Sequence, residues 1–198
     1  MAKLYAGDTI GPSVDYQEHL RKEHDGSKWG STGGRYSGTD VLRLLTERTY
    51  IQSVLDFGAG KGSLESFIVE RLERKVEWTN YDPGIPGIDQ IPQKQFDLVV
   101  STDVLEHVEP RRIYDTLVQL AILTGKVLYS DIACYPTGKV FGEGPYKGQD
   151  MHLIVEDPSW WRQQFADLAK LQEFSYEHRE HLSKGRQKKR CVMIHERV

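Results

Sequence analysis

Apolar positions along this chain alternate between two periods. Val54-Leu55-Asp56-Phe57 is a short, nearly continuous apolar run, as expected of a strand covered on both faces. Leu64, Phe67, Ile68 and Leu72 then repeat at the spacing of one helical face. The same switch recurs downstream. Val76 to Asp82, Phe96 to Val100 and Lys126 to Ile132 read as strands, with Ser101, Thr102 and Asp103 following the second of them, and Ile113, Leu117, Leu120 and Ala121 read as a helix opened by Pro110. Upstream, Val14 to Glu23 reads as a helix. Thr39 to Tyr50 reads as another, capped by Thr39, with Val41, Leu42, Leu44 and Leu45 inward. Asp157 caps a helix begun by Pro158, with Trp161, Phe165 and Leu168 inward, and Leu171 to His178 and Arg190 to Glu196 close the chain as two strands. Strands alternating with helices imply an α/β fold on a parallel sheet.

Chemistry concentrates where the first strand ends. In Asp56-Phe57-Gly58-Ala59-Gly60-Lys61-Gly62-Ser63 an acidic residue precedes three alternate glycines, and a helix starts at once. Each missing Cβ lets the backbone turn sharply or approach a ligand, and the helix start presents free N–H groups, so the segment reads as a cofactor cradle. Its spacing differs from the dinucleotide fingerprint G-x-G-x-x-G, which would place the third glycine at Ser63. Two segments interrupt the alternation. Pro83 to Pro92 is too rich in proline for a crossover helix. Ala133 to Asp150 is a long Gly- and aromatic-bearing loop, read as a substrate rim.

The 198 residues suit a single domain, with residues 1–50 as an N-terminal helical or lid segment and 51–198 as the cofactor-binding core. A net charge of −3 with 28% charged residues excludes the global basicity of a dedicated nucleic-acid binder. No apolar run approaches the roughly 20 residues of a membrane span, and the start lacks a signal-peptide core. The two distant cysteines, Cys134 and Cys191, read as free thiols, and the expected location is cytoplasmic.

The pattern Asp-x-Gly-x-Gly-x-Gly at 56–62 resembles motif I of class I S-adenosylmethionine-dependent methyltransferases, and two later segments are similar to the same family. They are the strand ending at Asp82 and the stretch from Phe96 to Val108, with its Leu105-Glu106-His107. The resemblance spans roughly residues 53–198. It implies a Rossmann-like doubly wound sheet, mostly parallel with an antiparallel C-terminal strand and helices on both faces, and S-adenosyl-L-methionine as cofactor. The proline-rich segment at 83–92 departs from that family's pattern, whose second helix and third strand look abbreviated here, and no subfamily is identified. The expected cofactor contacts are Asp56, Gly58, Gly60, Gly62, Asp82 with its two acceptor oxygens for the ribose hydroxyls, Pro83, Ser101, Thr102, Asp103, and Trp29 in the lid segment.

Methyl transfer from a sulfonium requires the acceptor to be held in line and sometimes deprotonated. The candidate catalytic residues are His152, as a base, and His107, beside the cofactor. Asp103-x-x-Glu106-His107 also resembles the Glu-x-x-Glu-His cluster of metal-dependent O-methyltransferases, with His152 as a further ligand. Because the first position here is the shorter Asp, the expected site is metal-free. The expected acceptor is a small molecule. Lys184, Arg186, Lys188, Lys189 and Arg190 form a basic turn that would serve the alternative, a nucleic-acid-end or RNA methyltransferase. Further alternatives are an NAD(P)-dependent reductase of similar fold and a non-catalytic cofactor-binding subunit. An Asp/Asn-Pro-Pro-aromatic motif is missing after Val100, which opposes exocyclic-amine DNA methylation. Cys134 lacks the companion Pro-Cys of RNA cytosine-C5 enzymes.

Overall fold

The computed structural model describes residues 11–25, 37–168, 171–183 and 186–197. Six strands form one sheet: β1 (Ser53–Phe57), β2 (Glu77–Tyr81), β3 (Phe96–Thr102), β4 (Thr124–Ala133), β5 (Leu171–Ser183) and β6 (Arg186–Arg197). Their order is β2-β1-β3-β4-β6-β5, and the first four run parallel. β6 is antiparallel to both of its neighbours.

Alternation along the central strands sends side chains into two cores. Leu98, Val100, Val127 and Tyr129 pack on one face with α2 (Gly38–Glu47) and α3 (Ser63–Val69). Val99, Leu128 and Ile132 pack on the other with α4 (Ile113–Leu123) and α5 (Pro158–Ala166). The expected two-sided α/β architecture is therefore present. Residues 83–95, between β2 and β3, contain neither helix nor strand, as the proline-rich segment implied.

Three boundaries differ from the sequence reading. α2 ends at Glu47, and its N-cap is Ser37 rather than Thr39; the Ser37 hydroxyl donates to Asp131 (2.8 Å) instead of capping the helix. A 3-10 turn at Pro110–Arg112 precedes α4. The closing hairpin is longer than expected, because Arg179 to Ser183 pair with Arg186 to Arg190 beyond the end of β4, at Ala133 opposite Arg190.

The first helix, α1 (Val14–His24), lies across the carboxyl end of the sheet rather than on a face. Its N-cap Ser13 donates through N–H (2.7 Å) and hydroxyl (2.8 Å) to Glu109, which also accepts from the Tyr146 hydroxyl (3.1 Å). Further along, Tyr16 donates to the His107 carbonyl (2.7 Å) and Gln17 to the Pro83 carbonyl (3.0 Å), while Arg21 pairs with Asp89 (2.9 Å). α1 is thus a strap from the segment after β3 to the segment after β2. Glu109→Ala removes the charged acceptor at one end, and we expect a loss of about 1–3 kcal/mol. In hydrogen exchange, the 14–24 amides should open faster than those of β3; equal protection in both proteins would contradict the latch.

Candidate active site

Open parallel sheets present their crevice at the carboxyl ends of the strands, and the glycine turn, Asp82, Asp103 and the long loop all leave the sheet there. Gly58, Gly60 and Gly62 all adopt positive φ, of 83°, 53° and 71°. The Gly58 and Ala59 N–H groups donate to the Tyr81 carbonyl (2.7 and 3.0 Å), and Gly62 caps α3. A Cβ on Gly58 would lie 2.3 Å from a Val104 methyl, so the turn packs directly on the segment after β3.

Asp82 is 6% exposed. One carboxylate oxygen accepts from Gly60 N–H (2.8 Å) and the other from Gly84 N–H (2.8 Å), while His24 of α1 reaches to 3.5 Å. Burial holds the His24 imidazole below its usual range, against the pull of Asp82. A cavity opens between these groups, with Gly58, Gly60, Asp82, Asp103 and His107 on its floor and walls, and Tyr16, Leu20 and His24 of α1 among its lining. Pro83 also borders it. A second cavity, lined by Lys61, Gly62 and Asn80, shares Gly60 and His24 with the first.

Several expected contacts fall elsewhere. Asp56, Ser101 and Thr102 are buried within the sheet and line neither cavity. Strand β3 runs through Thr102, so Ser101 and Thr102 belong to its packed body rather than to the loop beyond it. Burial, then Asp82 and Glu65, push the Asp56 carboxyl up to about 7. Trp29 lies outside the described residues; among those described, the lining on the lid side comes from α1, whose Tyr16, Leu20 and His24 share a four-residue spacing visible in the sequence.

Asp103 is the one non-glycine residue with positive φ (54°) among those described. It does not cap the following turn, whose N-cap is Val104. Its N–H donates to the Asp131 carbonyl (3.0 Å) and its carboxylate pairs with Arg190 (2.8 Å). Arg190 also donates to the Asp131 carboxylate (2.6 Å). Burial opposes the Arg190 charge, but Asp103, Asp131 and Glu106 outweigh it and hold the guanidinium above its usual range. The basic turn expected at 184–190 therefore needs correction. Arg190 is 6% exposed and neutralised, which removes it from any nucleic-acid surface. Lys188 sits over the Tyr135 ring (4.5 Å), Lys189 is 3.6 Å from Asp157, and the side chains of Lys184 and Arg186 lie outside the described residues.

The Leu105–His107 turn follows Asp103 and clasps the neck of the long loop. The Glu106 carbonyl accepts from Ile154 N–H (3.0 Å), the Glu106 carboxylate from Ala133 N–H (2.8 Å), and His107 Nδ1 donates to the Met151 carbonyl (2.8 Å). From the loop, His152 Nδ1 donates to the Tyr135 carbonyl (2.5 Å). The two imidazole centroids are 4.8 Å apart. Burial, then His152, bring His107 down to about 4; burial also lowers His152, opposed by its bond to Tyr135. Glu106, His107 and His152 offer ligand atoms within 4.8 Å of one another, but Asp103 is turned to Arg190. The four-residue set suggested by the sequence is thus only partly assembled.

Fold and site together define an α/β protein of the Rossmann-like, cofactor-binding kind. The chain belongs to the methyltransferase-domain family, whose model matches residues 29–183. It is similar in structure to 1,6-didemethyltoxoflavin-N1-methyltransferase of Burkholderia thailandensis, solved with 1,6-didemethyltoxoflavin and S-adenosylhomocysteine (15% identity, TM-score 0.59, covering 98% of this chain and 93% of that one). It is also similar to magnesium protoporphyrin IX methyltransferase of Synechocystis PCC 6803, solved with SAM (14% identity, TM-score 0.56, covering 94% and 92%). At such identities the likeness establishes the fold. A comparison with curated proteins finds no match. Family membership leaves the nicotinamide-dependent reductase without support. No helix among the described residues is long and apolar enough to cross a membrane.

Removing Arg190 would leave Asp131 buried and uncompensated. Arg190→Met should destabilise the fold by about 3–5 kcal/mol at pH 7. Burial already raises the Asp131 carboxyl despite Arg190. The deficit should therefore shrink as pH falls and Asp131 takes a proton; a pH-independent deficit in urea titrations would contradict this pairing.

Proposed function

We propose that this methyltransferase takes its methyl group from S-adenosyl-L-methionine and delivers it to a small-molecule acceptor, with His152 as the base. The observation that carries this reading is the cavity between the glycine turn and Asp82, beneath α1. The residues fit the cofactor. Each Asp82 oxygen accepts one backbone N–H and keeps a second lone pair for a ribose hydroxyl, the oxygen on the Gly84 side also facing His24 at 3.5 Å. Gly58 and Gly60 supply a backbone wall without side chains, and Pro83 borders the adenosine side.

The donor supplies an electrophilic methyl group; the chain must orient the acceptor, exclude water and receive a proton. α1 covers the cavity and supplies the second of these. His152, buried beside His107 and outside the lining of both cavities, is assigned the third. A carbonyl can only accept, so Nδ1 carries the hydrogen and Nε2 carries the lone pair. His107, on the cavity wall, stands between the cofactor and His152 in this reading. Solved relatives named for small-molecule acceptors support the substrate class. The two buried free thiols suit a cytoplasmic setting.

Asp82→Asn replaces one acceptor oxygen by a donor. Calorimetry should show S-adenosylmethionine and S-adenosylhomocysteine binding weakened by about 1–3 kcal/mol each. Unchanged affinities would reduce Asp82 to a clasp between two loops.

His152→Ala should lower turnover by about 10²–10⁴ with cofactor affinity unchanged, read as labelled-methyl incorporation into cell-extract metabolites. Chelator should leave the wild-type rate unaltered. A rate lost on chelation and restored by a divalent cation would assign the imidazole pair to metal binding instead.

A further inference from the structure

His24 is the last residue of α1, and like Gly60 it borders both cavities. Its side chain is 11% exposed, and Nε2 stands 3.5 Å from Asp82 Oδ1, the oxygen that takes the Gly84 N–H. That distance exceeds an ordinary N–H···O bond of about 2.9 Å, so the ring faces the carboxylate without closing on it. Packing sets this position. A Cβ on Gly84 would lie 2.7 Å from His24 Cδ2 and 2.9 Å from Leu20 Cβ, so the last turn of α1 rests directly on the backbone that Asp82 holds. Gln17 and Arg21 tie the same helix to Pro83 and Asp89. On its other flank the Tyr16 and His19 rings meet Tyr146 and Phe141, with centroids 5.3 and 5.1 Å apart. A Cβ on Gly144 would lie 2.7 Å from His19 Nδ1, which leaves the helix no room to slide toward the long loop.

A diol asks for what this ring can supply. Each ribose hydroxyl donates one hydrogen and can also accept. Asp82 takes the donated hydrogens but, as a carboxylate, offers none in return. The Gly60 and Gly84 N–H groups are already given to Asp82. Burial holds the His24 ring below its usual range, against the pull of Asp82, so at neutral pH it is an imidazole with one N–H. A carboxylate can only accept, so the ring turned to it carries that hydrogen on Nε2.

We propose that His24 is a cofactor-binding residue on α1, whose Nε2–H donates to the ribose hydroxyl that itself donates to Asp82 Oδ1. This rests on the cofactor reading above. The hydroxyl joins the helix to the loop after β2, so α1 is seated by the ribose as well as by its own contacts with the protein. The site therefore selects adenosine compounds with an intact ribose over their deoxy forms, and part of that selection comes from α1 rather than from Asp82.

The test is a binding cycle by calorimetry on the full chain. S-adenosylhomocysteine and its 2′-deoxy and 3′-deoxy analogues are titrated into wild type, His24→Phe and His24→Gln. His24→Phe keeps a ring against Gly84 but has no donor, whereas His24→Gln keeps an N–H. S-adenosylhomocysteine should bind His24→Phe about 5- to 30-fold more weakly than wild type, with His24→Gln between the two. One of the deoxy analogues should lose less in His24→Phe than in wild type, by more than about 2-fold, because both changes remove one shared bond. Penalties for both analogues that agree between the two proteins within about 2-fold would overturn the proposal, since independent changes add. So would tighter binding by His24→Phe, which would make the ring an obstacle that the ribose displaces. Should His24→Phe fail to fold, His24→Ala carries the same cycle. A wild type that does not bind S-adenosylhomocysteine overturns the cofactor reading and this inference together, whereas binding with an additive cycle overturns this inference alone.

Discussion

The Asp82 carboxylate holds Gly60 N–H on one oxygen and Gly84 N–H on the other, so the loops leaving β1 and β2 cannot move independently. The glycine turn keeps its left-handed geometry because it is fixed at both ends, to the Tyr81 carbonyl on one side and to α3 on the other. Val104 then presses against Gly58, where any side chain would collide, and sets the distance from the turn to the segment after β3. The cavity is what remains between these contacts. α1 can lie over it because the same edge offers carbonyl and carboxylate acceptors at His107, Pro83 and Glu109.

Across the cavity, a buried charge cluster does for Asp103 what the backbone bonds do for the glycines. A left-handed Asp is strained, and such strain persists where surroundings over-determine it. Here Arg190 holds the side chain and the Asp131 carbonyl holds the N–H. Asp131 in turn accepts from Ser37 at the start of α2. One network thereby links the antiparallel hairpin, the fourth parallel strand and the N-terminal helical region at the site's edge.

Those features written in local sequence were legible. β1 and the turn after it need only an apolar run and three glycines, and the parallel order follows from alternating periods. The missing crossover helix at 83–92 was announced by its prolines. What depends on the exact end of a strand was not legible. Ser101 and Thr102 appeared to sit in the ligand crevice, yet β3 continues through them and buries both. Arg190 sat in a run of cations that read as a basic turn, but β4 brings Asp131 beside it, and pairing across 59 residues leaves no local trace. Glu109 was missed for the same reason, since its partners Ser13 and Tyr146 meet it only in the folded chain. α1 falls within the 1–50 segment expected to be helical or a lid, and the spacing of Tyr16, Leu20 and His24 marks the face that lines the cavity.

The central claim is that one carboxylate and one glycine turn position a methyl donor under α1. A crystal structure with S-adenosylhomocysteine tests it most directly. The ribose hydroxyls are expected on Asp82, the sulfur near Gly58 and Asp103, and α1 closed over the ligand with His107 facing it. Ligand density elsewhere on the protein, or a ribose held by other residues with Asp82 still bonded only to Gly60 and Gly84, would contradict it.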